Sequence, residues 1–204
     1  MISFREVYKR IRAFNMKNDE KEVFKTFPNY KNANCFIGYG YIDHMAGFTE
    51  EVLCLAKIEN EKIEIFEGNT EETLKMRMDT KDIEGYFRND QLEKDLKKTF
   101  KEMIKIIDTN YENKELKKLR EDEVFDEFRH SEYIDDILVC FHKDGLKDEH
   151  CWVRLEKTSP KGCVGIILNE PNQDFGIHEG NEVMVYNYLN AAGEKILVAE
   201  YSAK

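Results

Sequence analysis

Two histidines, His142 and His150, come closest in this chain to a reactive arrangement. They bracket the polar stretch 143–149. On either side of it the residues alternate: Val139, Phe141, Cys151, Val153 and Leu155 make one apolar set. Cys140, His142, His150, Trp152 and Arg154 fall on the opposite face, as a strand's period of two requires. Closing the stretch as a hairpin with His142 facing His150 also sets Cys140 against Trp152. Two imidazoles at the mouth of a hairpin, with Asp144 or Glu149 nearby, are ligand types that suit zinc or a similar cation. A zinc site takes three or four convergent ligands, however, and the spacing supplies two. No metal and no cofactor is expected.

Cysteine chemistry needs a thiolate beside a histidine. His150 and Cys151 are adjacent in sequence, so on a strand they point to opposite faces, whereas Cys140 and His142 share a face and remain a candidate dyad. His130-Ser131-Glu132 offers triad residue types in a row, but a triad is built by convergence in space. The five cysteines, Cys35, Cys54, Cys140, Cys151 and Cys163, are scattered with no C-x-x-C pair, which fits buried thiols in a reducing compartment. Gly38-Tyr39-Gly40-Tyr41 lacks the third glycine and following helix of a nucleotide loop. It reads as a strand whose backbone another group approaches closely.

The same hairpin offers a recognition surface. Tryptophan and arginine are over-represented among binding anchors, so Trp152 and Arg154, with His150 and His142 beside them, are candidate binding residues. Two readings stay open: the face meets another protein, or the rest of the chain covers it. Asn169 and Glu170, in the loop 169–180, form a second candidate surface, although turn geometry alone accounts for its Asn, Pro and Gly.

The elements that must position these residues follow from periodicity. Phe4, Val7, Tyr8, Ile11 and Phe14 recur at helical spacing after Ser3 and predict an amphipathic helix over 3–16; a short helix over 18–27 ends before Pro28. From Cys35 the period becomes two, with strands predicted at 35–42, 51–58, 62–66 and 73–79 as a four-stranded antiparallel meander. The turns lie at 59–61 and 68–70. Leu92, Leu96, Phe100, Met103 and Ile107 predict one long helix over 90–108, and a charged helical segment follows over 114–130. Five short strands then fit the last 70 residues or so: 137–142, 150–157, 163–168, 182–188 and 196–201. So many short strands favour a small antiparallel barrel.

Within that last third, E-H-C-W-V-R-L-E (149–156), G-I-I-L-N-E-P (165–171) and H-E-G-N-E-V (178–183) resemble the bacterial domain of unknown function 2314 and its relatives. Those proteins carry a tryptophan-valine strand, a glycine-led strand ending in Asn-x-Pro, and a Gly-Asp-x-Val lead into the next strand; here Asn181 stands where the aspartate is usual. The resemblance implies a small bacterial β-domain without an assigned activity, near toxin-immunity genes, and brings no catalytic residues with it.

Length and charge bound the rest. With 204 residues, 41% apolar and 12% aromatic, the chain can bury a core. A net charge of −10 argues against nucleic acid and anionic membranes as partners and favours, if any, a basic protein. No segment approaches a membrane span and the first 20 residues lack a signal peptide's apolar run, so a cytoplasmic location is expected. The resulting expectation is an α+β protein with an N-terminal helix, a four-stranded meander and covering helices over 1–110. A charged connector follows over 111–133, and a five-stranded small β-barrel-like domain over 134–204. Its expected role is non-catalytic protein binding with an immunity-like setting; the alternative is a metal-dependent or cysteine hydrolase using His142 and His150. Oligomeric state is not legible.

Overall fold

The computed structural model describes residues 3–60, 62–68, 73–83, 86–190 and 192–201. The chain divides into two compact units, Met1–Tyr111 and Glu112–Lys204. The segment read from the sequence as a connector lies almost wholly in the second, where its Leu119 and Phe125 join the core.

In the first unit a sheet runs in the order β1 (Ile11–Asn15), β2 (Cys35–Asp43), β3 (Gly47–Glu59), β4 (Lys62–Ile65), all antiparallel. The predicted helix over 3–16 is not formed. A 3-10 turn, Phe4–Glu6, is capped by Ser3 and Glu6; Lys9 then takes φ 56°, and the chain enters β1. The apolar spacing misled because β1 is covered on both faces, so its period of two is invisible. Arg12 is buried on Glu93 with Nη1 2.7 Å from Oε2.

The meander is also altered. β5 (Lys75–Arg77) does not extend it past β4 but pairs with Thr49–Glu51 of β3, because β3 is 13 residues long and β4 occupies only its Ala56–Glu59 end. Turn residues 61 and 69–70 lie outside the described residues. The predicted long helix is broken at Phe100 (φ −98°, ψ 20°) into α1 (Asp90–Thr99) and α2 (Lys101–Tyr111). Leu96 and Ile107 of these helices pack with Ile11, Ala13, Ile37 and Tyr39, one face of the sheet.

On the other face lies Glu50, paired with Gly40 and fully buried. A Cβ at position 38 would meet its Oε2 at 2.6 Å, and one at position 40 would meet its Oε1 at 2.8 Å. The close backbone approach read from Gly38 and Gly40 is therefore made by the Glu50 carboxyl, and at Gly40 more closely still by the Val7 carbonyl.

The second unit begins with α3 (Lys114–Glu121), which packs on β7. Five strands follow: β6 (Asp136–Phe141), β7 (Glu149–Ser159), β8 (Gly162–Ile167), β9 (Glu182–Leu189) and β10 (Lys195–Glu200). Each pairs antiparallel with the next, and the sheet closes into a barrel. An odd number of alternating strands leaves the last parallel to the first, and they meet at Val198 and Cys140. Val139, Phe141, Cys151, Val153 and Leu155 fill the interior as the alternation required. Arg120 donates from Nε and Nη2 to Asp135 at 2.9 and 2.6 Å, both side chains nearly inaccessible, and so ties α3 to the start of β6.

Candidate functional site

The β6–β7 hairpin forms, with its ladder two residues away from the expected register. Cys140 lies opposite His150, Leu138 opposite Trp152 and Asp136 opposite Arg154. His142 falls beyond the ladder, so the two imidazoles do not face one another. Its Nδ1 lies 2.6 Å from Asp148 Oδ1, and Nε2 lies 3.7 Å from Asp144. The Asp148 hydrogen bond and charge raise the His142 pKa above its ordinary 6.5. His150 is exposed. Among the described residues, no three His, Cys, Asp or Glu side chains converge into a group that could hold a metal. Burial raises the Cys140 thiol, helped by the charge of Asp148, which opposes thiolate formation in the Cys140–His142 pair.

The outward face of β7 is largely taken up by its own unit. The Trp152 ring is half-buried and lies edge-on to His130, centroids 5.1 Å apart. Arg154 makes a two-pronged pair with Asp136 at 2.8 and 3.0 Å. Asn169 accepts from the Trp152 amide at 2.8 Å, so it ties the loop to β7. Glu170 accepts from the Glu179 amide at 2.9 Å and meets His178 Nδ1 at 2.7 Å, bonds that lower its pKa. Arg154 thus braces the hairpin, Asn169 ties the loop to it, and Glu170 closes the loop on itself.

A different surface is open. Beside the short seam where β10 meets β6, a groove of about 510 Å³ is lined by His142, Phe175, Tyr186, Tyr188 and Tyr201, with Lys143 and Glu200 at its polar edge. Tyr186 and Tyr188 alternate outward from β9 with ring centroids 6.3 Å apart. Tyr188 is 54% exposed and Leu189 beside it 69%. Tyr201 lies against Phe141 at 6.0 Å and donates its hydroxyl to the His142 carbonyl. A hydrogen bond with Glu200, then burial, raises the Tyr186 pKa; burial raises that of Tyr201. Both phenols thus stay neutral and protonated, a contact surface and not a source of phenolate.

Of the six residues singled out from sequence, only His142 lines this groove. Tyr186, Tyr188, Tyr201 and Phe175 were missed, although the alternating tyrosines of Val185-Tyr186-Asn187-Tyr188 carry a signal: an outward aromatic pair on a strand whose inward side is already apolar.

The chain matches no family model, no curated protein and no solved structure. The site therefore rests on its own geometry. No helix among the described residues is long and apolar enough to cross a membrane.

Proposed function

We propose that the protein is a non-catalytic binding module that receives a basic segment of another protein in the tyrosine-lined groove of its barrel. The observation that carries this reading is the open aromatic groove with a surplus of acid around it. Glu200 lies in the groove and Asp144 and Asp148 flank His142, three carboxylates against Lys143 and the His142 imidazolium that Asp148 favours. Tyrosine gives a large, rigid contact area at low entropic cost, so it is a common interface anchor. The surrounding carboxylates steer a cationic partner and disfavour an acidic one. An immunity-like role fits the sequence resemblance and the net charge of −10, since an immunity protein of this charge would neutralise a basic target.

The test is a peptide array of basic, neutral and acidic sequences, each with and without aromatic residues, followed by affinity measurements on the full chain. Basic peptides are expected to bind best and to weaken as salt rises. Tyr188→Ala should lose roughly tenfold in affinity, about 1.4 kcal/mol, because its ring is exposed and its removal leaves the barrel core intact. Equal binding of acidic and basic peptides, or binding indifferent to Tyr188→Ala and Glu200→Gln, would overturn the proposal.

A further inference from the structure

The first unit carries a cavity of its own, separate from the barrel groove. On the face of the sheet opposite α1 and α2, a cavity of about 280 Å³ opens over β1, β2 and β5. Phe14 and Phe36, partners across β1 and β2 and stacked at 5.2 Å, form part of its wall with Met76 and Met78. The volume approaches that of small-ligand pockets, which are mostly apolar with a few placed polar groups.

The polar groups here are mainly carboxylates: Glu20, Asp79 and Asp82, against Lys17. Arg77 also lines the cavity, but its guanidinium is held by Asp43 at 3.1 Å and by Thr49, on the opposite side of β5 from Met76 and Met78. Thioethers offer a polarizable, adaptable wall beside the Phe14–Phe36 stack, and carboxylates at the rim favour a cationic head group over an anionic one. From this combination we infer that the cavity binds a small organic cation, a primary amine on an apolar body of one or two rings. The body fills the Phe14, Phe36, Met76, Met78 wall, and the ammonium meets Asp79 and Asp82. A carboxylate of the same shape would face three like charges.

The test uses the full chain with ¹³C-methyl methionine, titrated separately with phenethylamine, phenethyl alcohol and 3-phenylpropionate. The amine should shift the Met76 and Met78 methyls saturably and bind roughly tenfold tighter than the carboxylate. Asp79→Asn combined with Asp82→Asn lies at half-exposed and exposed positions, so the fold should survive. It should weaken the amine several-fold and leave the alcohol unchanged. Met78→Trp, which narrows the cavity, should weaken both ligands. The inference is overturned if the carboxylate binds as tightly as the amine, if the double variant leaves the amine unaffected, or if no probe gives a saturable shift.

Discussion

Glu50 allows a sharp test of the physical reasoning. Its side chain is fully buried, and neither carboxyl oxygen has a hydrogen-bond partner among the described residues. Arg12 attracts it, but the Arg12 guanidinium is committed to Glu93, the Ile11 carbonyl and the Glu6 carbonyl. Burial wins and pushes the Glu50 pKa well above its ordinary 4.5. Between 4.5 and that raised value the folded chain holds a proton that the unfolded chain has released. Stability therefore falls as pH rises through this window, by about 1.4 kcal/mol per pH unit. Glu50→Gln keeps the shape and removes the titration. Below pH 4.5 the two proteins should differ by about 1 kcal/mol or less, since both bury a neutral polar group. As pH rises through the window the variant should gain on the wild type at up to about 1.4 kcal/mol per pH unit. Urea unfolding over a pH series, read by hydrogen-exchange protection of the Gly38–Tyr41 amides, isolates the first unit. A difference that stays flat with pH, or that turns in favour of the wild type, would mean that Glu50 is ionised in the fold and that the burial argument is wrong.

Three further outcomes are expected. Arg120→Met should destabilise the second unit by about 3–5 kcal/mol, because it removes the buried cation that faces the Asp135 carboxylate; a chemical-denaturation loss under 1 kcal/mol would contradict that. The His142 titration followed by NMR should lie above 6.5 and drop toward it in Asp148→Asn; the pair's contribution to stability is present below 6.5 and fades as pH rises through the folded value. Burial pushes Cys35 up to about 11 and Cys54 and Cys163 up to about 12, so iodoacetamide at about pH 8 should spare all three in the folded protein and label them after unfolding. Rapid labelling of Cys163 in the native state would show that the barrel core is open.

The hairpin shows how far alternation reaches. It sorted Cys151, Val153 and Leu155 inward and Trp152 and Arg154 outward, and the structure agrees. It could not set the register, because a slip of two residues leaves every side chain on its original face. That slip separated His142 from His150 and delivered Arg154 to Asp136. The candidate site was accordingly only partly legible: His142 was found, while the tyrosines that line the groove came from a strand read only for its core side.

By itself, the sequence determined the run of β-strands from Cys35 onward, the barrel-forming pattern of the last third, the close approach at Gly38 and Gly40, and the acidic balance. Each is a local or summed property, expressed wherever one side of an element is greasy and the other wet. Tertiary structure alone decided that residues 11–15 form a strand, that β5 returns to β3, that Arg12 and Arg120 are buried, and where the barrel seam leaves a groove. Those outcomes depend on partners distant in the chain. A strand covered on both faces loses its period, and a buried arginine is stable only because Glu93 or Asp135 meets it across the fold.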